Sequence, residues 1–338
     1  MIFAIETSCD ETSSSIIDFK GKILSHIVTN QEEHQKFGGV VPEIASRAHL
    51  QILQQIIPKT FAEAGVSRSS INIYCATCGP GLIGGLLVGS TVAKSMAIAG
   101  NKPFYPINHL EGHALSVQIH DDVSFPFILL LITGGHSQLY IVNKIGSYEL
   151  LGTTIDDSVG ECFDKVAKML GMKYPGGKHV ENKALKGNKN KFNLPKPLID
   201  RKDFNFSFSG LKTAVKLEVN KFDKLNNNQV ENLCASFQQT IVDILVSKTE
   251  MAINYTKNKI PNINNVVVAG GVAANKSIKE SLQILCLKNN LKLFSPPLSL
   301  CGDNAAMIAW TCLQRYKLGY QGDINFKPVP RWPLNDLA

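Results

Sequence analysis

The chain has 338 residues, 44% hydrophobic and 19% charged, with a formal net charge of +7. That is long enough for two packed cores, and the composition excludes a disordered or fibrous polymer. The opening MIFAIETSCDE has no basic stretch leading into an apolar one, so no secretory signal is expected, and its acidity argues against an organelle transit peptide. The smoothest apolar run, 125–132, falls far short of the roughly 20 residues of a spanning helix, so no membrane association is expected. Segment 81–100 is also apolar, but five glycines and Lys94 interrupt it, as in a buried Gly-rich loop and helix. Eight cysteines without a framework suit a reducing compartment, and a cytoplasmic protein is expected. Cys75 and Cys78 have CxxC spacing, but they lie in the strand-like run INIYCATC, where positions i and i+3 face opposite ways and share no metal.

Taken in order, the first elements predicted are strands at 2–5, 15–18 and 22–29, with the polar turn ETSCDETSS after the first. A helix over 41–64 follows from apolar residues at Ile44, Ala48, Ile52 and Ile56 and stops at Gly65. A strand at 71–76, the loop GPGLIGG and a helix to about 99 complete a first unit. The second unit opens in the same way, with a strand at 125–132, the tight turn TGGHS and a strand at 138–142. Helices are predicted at 160–170, 209–220 and 229–255, the last with Val230, Leu233, Phe237, Ile241 and Leu245 on one face. A strand at 265–269, a Gly-Gly turn, a helix at 274–287, a strand at 291–294 and a helix from 302 close the order. Two units that open alike and then alternate strands with helices imply two α/β domains with mixed sheets and a cleft between them. This is the plan of the actin, hexokinase and Hsp70 ATPases. The turns ETSCDETS and TGGHS are expected to face each other across the cleft.

Thr133-Gly134-Gly135 and Ala269-Gly270-Gly271 each put glycines where an apolar strand ends. There, backbone N–H groups can approach a phosphate or an adenine without an intervening side chain. A Gly-Gly turn is also a common connector. In His109-Leu-Glu-Gly-His113 the two histidines share a face if the segment is helical, as two metal ligands require. Glu111 sits at i+2 and points elsewhere, so this is not the zinc-peptidase register. Asp303, in the turn Cys301-Gly302-Asp303-Asn304, is the candidate third ligand. Two imidazoles and a carboxylate suit iron(II), zinc or manganese and leave positions for substrate oxygens. Two ordinary polar residues at a helix start remain the alternative. Glu6, Asp10 and Glu11 form an acidic turn that can hold a water or accept a proton, or simply be solvated. Between 178 and 202, eight lysines and arginines stand against two carboxylates, nearly the whole net charge. Such a concentration suits a polyanion contact or a solvated linker.

Taken together these residues resemble the TsaD/Kae/Gcp family of tRNA N6-adenosine threonylcarbamoyltransferases. The matching stretches are IETSCDETS, HQKFGGVVPEIASRAH, GPGLIGGLLVG, NHLEGH, LITGGHSQL, VGECFDKVAK, YPGG, FSFSGLKTA, GGVAAN and CGDNAAMIAW, in order over 5–310. The resemblance implies the duplicated actin-like, sugar-kinase and Hsp70 (ASKHA) α/β fold around a nucleotide cleft. The expected first domain is 1–107, rejoined by about 308–338, and the second is 108–307 with a basic insertion at about 178–203. The implied activity moves a threonylcarbamoyl group from threonylcarbamoyl-AMP to N6 of the adenosine just 3′ of the anticodon in ANN-decoding tRNAs, releasing AMP. The family's metal ligands fall on His109, His113 and Asp303, with iron(II) favoured and zinc possible. Its adenylate contacts fall on Ile132, Thr133, Gly134, Gly135, His136, Asp164, Gly177, Glu181 and Asn275. The aspartate of its first motif falls on Asp10, the candidate base for the N6 proton, with Glu11 beside it as the fallback. Implied partners are tRNA, a TsaB-like paralogue and a TsaE-like ATPase, with a TsaC-like synthase supplying the adenylate.

Two positions depart from the family pattern. Lys178 follows YPGG where proline is usual, and Gly302 replaces threonine in the last turn. Three other readings stay open at this stage. A sugar or acid kinase would share the glycine turns but has no use for the histidine pair. A metallopeptidase would need its glutamate in HExxH register, and a non-catalytic paralogue could lose both motifs.

Overall fold

The structure, a computed structural model, describes residues 1–31, 34 and 39–337; residues 35–38 of the HQKFGG motif lie outside them. The chain divides into two compact units. One comprises Met1–Asp122, Ile145–Ser147 and Pro296–Ala338, the other Val123–Lys144 and Tyr148–Ser295. In this division residues 108–122, 145–147 and 296–307, which the sequence assigns to the second domain, group with the first.

The first unit is built on β1 (Ile2–Glu6), β2 (Glu11–Ile17), β3 (Ile23–Asn30), β4 (Ile73–Gly79) and β5 (Phe104–Asn108), in the order β3-β2-β1-β4-β5. β1 runs antiparallel to β2 and parallel to β4. Strand alternation then sorts the core. Phe3, Ile5, Tyr74 and Cys78 pack on one face with α1 (Pro42–Ala64) and α2 (Ile83–Ala99). Ile2, Ala4, Ile73 and Cys75 pack on the other with α10 (Ala305–Lys317). Cys75 and Cys78 therefore occupy opposite faces, as the strand reading requires. β2 begins four residues earlier than predicted, inside the polar turn. Its serines are buried because each hydroxyl is satisfied: Ser13 by Ile27 O, Ser14 by Thr60 and Ser15 by Ser25 O. β5, which the pattern did not reveal, contains Pro106 and is an edge strand, where a missing N–H costs no ladder bond.

The second unit repeats the plan. Its strands are β6 (Phe127–Ile132), β7 (Ser137–Lys144), β8 (Ser147–Thr153), β9 (Asn265–Ala269) and β10 (Lys292–Phe294), in the order β10-β9-β6-β7-β8. Numbered within its own unit, this is again 3-2-1-4-5, with the central strand antiparallel to the second and parallel to the fourth. α4 (Val159–Met169), α6 (Ser209–Val219), α7 (Asn227–Lys259) and α8 (Lys276–Lys288) contribute Phe163, Leu211, Phe237 and Leu282 to one continuous core. α5 (Gly177–Ala184) was not legible from the apolar pattern, because only Val180 and Ala184 of its side chains are both apolar and buried. No helix among the described residues is long and apolar enough to cross a membrane.

Candidate functional site

α3 (His109–Leu115) starts where Asn108, at the end of β5, accepts hydrogen bonds from the N–H groups of Leu110 (2.9 Å) and Glu111 (3.2 Å). One turn then brings His109 and His113 together, with ring centroids 4.7 Å apart and the planes perpendicular. Asp303 lies between α9 (Leu298–Cys301) and α10, just before Asn304, which caps α10 by accepting from Met307 N–H at 2.9 Å. Its Oδ1 stands 3.0 Å from His113 Nε2 and 3.5 Å from His109 Nε2. Ligand atoms of all three residues lie within 4.8 Å of one another, so the group could hold a metal ion. Gly302 has ordinary extended backbone (φ −76°) with open space where a side chain would project, so its replacement of threonine leaves Asp303 in place. Glu111 turns away to Arg315, 2.5 Å distant, as its i+2 position requires.

Behind His109, Nδ1 lies 3.2 Å from Glu6 Oε2 and 3.1 Å from Ser8 Oγ. Glu6 is fully buried and also accepts from Ser8 N–H (2.6 Å) and the Thr77 hydroxyl. A carboxylate on the far nitrogen fixes the ring and its tautomer, leaving Nε2 to face Asp303. Among the described residues the buried His113 Nδ1 has no hydrogen-bond partner, while its Nε2 faces Asp303. Two imidazoles and a carboxylate, one imidazole braced by a second carboxylate, fit a divalent transition metal. Burial disfavours a charged His109, but the Asp303 and Glu6 carboxylates outweigh it and raise its pKa well above the usual histidine value. At His113 burial prevails and lowers the pKa. Burial works against ionisation of Asp303, yet the two imidazoles hold its carboxyl below the usual range.

The acidic turn belongs to the same unit. Thr7 Oγ1 donates to Gly85 O (2.9 Å), His49 Nε2 lies 3.0 Å from Cys9 O, and Gln31 N–H donates to Asp10 O (3.2 Å). Burial, followed by the charges of Asp303 and Asp10, pushes the Glu11 carboxyl well above the usual carboxylate range. Asp10, Glu11 and the three-residue group thus share one electrostatic neighbourhood. The sequence reading set Glu6 among the acidic residues without giving it the His109 contact, and passed over Ser8, Thr77 and His49. Strand alternation could have found it: Glu6 follows Ile2 and Ala4 on the sheet face that packs α10.

The glycine turns lie in the second unit. Ile132 ends β6, and the next four residues form a turn in which Thr133 N–H donates to His136 O (2.8 Å). Thr133 Oγ1 accepts from the N–H groups of Gly135 (3.2 Å) and His136 (2.9 Å). Gly134 and Gly135 have open space beside them. The N-terminus of α4 abuts this turn. Ser158 donates to Gly134 O, and a side chain at Gly160 would stand 2.6 Å from Thr133 O and 2.8 Å from Gly134 Cα. The second turn leaves β9, which pairs with β6 through Leu131 and Ala269, so both turns emerge from neighbouring strand ends. Asp164 Oδ1 accepts from Gly176 N–H (2.6 Å), holding the YPGG segment just before Gly177 opens α5. Glu181 on α5 is buried and accepts from Lys276 N–H (2.8 Å), next to Asn275, which caps α8 through Ile278 N–H. Asn275 Nδ2 also donates to Gln238 (2.8 Å). Lys178, in place of the usual proline, lies 2.7 Å from the other Glu181 oxygen.

Two five-stranded sheets of identical strand order, each carrying helices, define the actin-like ASKHA class of folds. Solved structures agree at the level of fold. HypF from T. kodakarensis matches with a TM-score of 0.62 and 14% identity, covering 94% of this chain and 48% of that one. The component A of (R)-2-hydroxyglutaryl-CoA dehydratase from Acidaminococcus fermentans matches at 0.52 and 13% identity, covering 94% of this chain and all of that one. Sequence comparison is more specific. The family model described as TsaD, tRNA N6-adenosine threonylcarbamoyltransferase, matches residues 22–310. The proteins of that name from Brucella anthropi and Brucella suis are each 46% identical over 344 aligned positions, spanning 100% of this chain and 96% of theirs. The chain belongs to the tRNA N6-adenosine threonylcarbamoyltransferase family, and is a tRNA-modifying transferase.

Proposed function

We propose that the chain moves the threonylcarbamoyl group of threonylcarbamoyl-AMP onto N6 of the adenosine 3′ to the anticodon of ANN-decoding tRNAs, releasing AMP. The observation that carries this reading is the convergence of His109, His113 and Asp303 in a chain that matches family members over 96% of their length. In this reading these residues hold one divalent metal, iron(II) in preference to zinc, which when bound supplies Lewis-acid stabilisation of charge on donor oxygens. Glu6 holds the His109 ring in the ligating tautomer. The backbone N–H groups of 133–136 at the end of β6, together with Asp164, Gly177, Glu181 and Asn275, hold the AMP portion. Open space at Gly134 and Gly135 supports this assignment, because a nucleotide can approach the bare backbone.

The donor is a mixed carbamic–phosphoric anhydride, so its leaving group needs little help. The adenine N6 is the weak partner, because its lone pair is delocalised into the ring. Asp10 accepts the N6 proton as the new C–N bond forms, directly or through a water, with Glu11 as the fallback. Burial and neighbouring charge favour the protonated state of Glu11. The reaction takes place in the cytoplasm with a TsaB-like paralogue and a TsaE-like ATPase, the adenylate coming from a TsaC-like synthase. Elemental analysis and transfer assays on His109→Ala, His113→Ala and Asp303→Ala test the reading. Each variant is expected to lose metal and most transfer while remaining folded. Full metal content and transfer in all three would overturn the assignment.

A further inference from the structure

The basic segment is neither evenly charged nor loose. Four of its eight cations already face carboxylates: Lys178 with Glu181 (2.7 Å), Lys183 with Glu231 (3.6 Å), Lys196 with Asp243 (2.6 Å) and Arg201 with Asp203 (2.8 Å). Among the described residues the other four, Lys186, Lys189, Lys191 and Lys202, form no ion pair and are exposed, and the first three stand together on one short stretch. The backbone of that stretch is nevertheless pinned to α7. Asn188 N–H donates to Asn232 (2.7 Å) and Phe192 N–H to Ser236 (3.1 Å), while Gly187 sits so close to Glu231 O that no side chain fits there. A solvated linker has no such anchors. Three unneutralised lysines stand on a fixed scaffold.

α5 leads into this scaffold with two different faces. Val180, Glu181 and Ala184 are buried, and Glu181 is among the residues assigned to the nucleotide. His179, Asn182, Lys183 and Lys186 follow one another at helical spacing on the other side. With Met172 they line a hollow of about 230 Å³. The hollow is edged by the unpaired Lys186, by Lys183 shared with Glu231, and by an amide and an imidazole, donors that suit a phosphodiester ridge.

We propose that this stripe, His179, Asn182, Lys183 and Lys186, continued by Lys189 and Lys191, is a docking surface for the phosphodiester backbone of the acceptor RNA. It rests on the reading of the chain as a tRNA-modifying transferase and goes beyond it by placing the RNA backbone on the outer face of the helix that carries Glu181. The paired cations Lys196 and Arg201 lie outside the surface.

The test is fluorescence anisotropy of a labelled anticodon stem–loop RNA bound to the full chain over a range of salt. The Lys186→Gln/Lys189→Gln/Lys191→Gln variant is expected to bind about tenfold or more weakly, with the log–log salt slope reduced by about 2 to 3, one increment per lost phosphate contact. Lys196→Gln/Arg201→Gln, which removes nearly as much formal charge, is expected to bind as the unchanged chain does. AMP binding and melting temperature should stay the same in both variants. Unchanged RNA affinity and slope in the triple variant would overturn the proposal, as would equal weakening by the control pair, which signals bulk charge. Loss of binding to phosphatidylserine vesicles with RNA binding intact would assign the surface to a membrane and overturn it too. A failure of the unchanged chain to bind the stem–loop would count against the transferase reading itself, whereas normal binding by both chains counts against this surface alone.

Discussion

Glu6→Gln alters the residue behind the metal group without altering its volume. Both Glu6 oxygens are engaged, Oε1 with Ser8 N–H and Oε2 with Thr77 and His109 Nδ1. Glutamine offers only one oxygen, so one of these sides must meet an NH2 group in a fully buried place. If the oxygen stays on Ser8, the amide donates to His109 Nδ1 and drives the imidazole proton onto Nε2, the atom that faces Asp303. Removing such a bracing partner costs about 10- to 100-fold in metal affinity, or about 1.4–2.7 kcal/mol. A second consequence separates this from a general loss of fit. In the unchanged chain the raised His109 pKa means that a proton competes with the metal, so affinity rises with pH until that pKa is passed. Without the Glu6 charge the proton is held less tightly, and the rise should level off at lower pH. Chelator-competition titrations with zinc from about pH 6 to about pH 9 measure both effects. A variant with unchanged affinity and an unchanged pH profile would refute the view that Glu6 orients His109.

Three further outcomes are expected. Asp10→Asn should bind AMP and RNA normally while single-turnover transfer from preformed adenylate slows by roughly 10²–10⁴; near-normal transfer would leave Glu11 or solvent as the acceptor. Gly160→Ala forces a methyl group against Thr133 O and Gly134, so it should displace the turn and weaken AMP binding at a cost of about 1–3 kcal/mol, read by calorimetry. Burial works against ionisation of Asp156, but Ser207, Ser209 and the N–H groups of Phe208 and Ser209 hold its carboxyl below the usual range. Its contribution is therefore complete above the unfolded aspartate pKa of about 3.9 and disappears as pH falls through the folded value. Asp156→Asn should cost about 1 kcal/mol near neutrality, discounted for the exposure of the group, and nearly nothing in strong acid; a cost that persists in acid would contradict this.

What could be read from the residues follows their physical character. Strands buried on both faces, such as FILLLI and NVVVA, and the long apolar periodicity of α7 announce themselves through composition. The histidine pair was legible because a single turn of helix makes i and i+4 neighbours, whatever surrounds them. β2 was shortened because buried serines look like solvated ones until their acceptors are known. β5 and α5 stayed hidden because an edge strand tolerates proline and a short helix lying on a larger one needs few apolar residues. The basic segment was legible as a sum of charges, but not as four paired and four unpaired cations, since the partners Glu231 and Asp243 come from α7, distant in sequence. Contacts of that kind, including Glu6 with His109, carry no local signature.

The central claim is tested most directly by mass analysis of nucleosides from tRNA incubated with this chain, threonine, bicarbonate, ATP and the synthase, paralogue and ATPase partners. Threonylcarbamoyladenosine should appear at the adenosine next to the anticodon, and should be lost when Asp303→Ala replaces the unchanged chain. Its absence with active partners present, or its formation without this chain, would contradict the account.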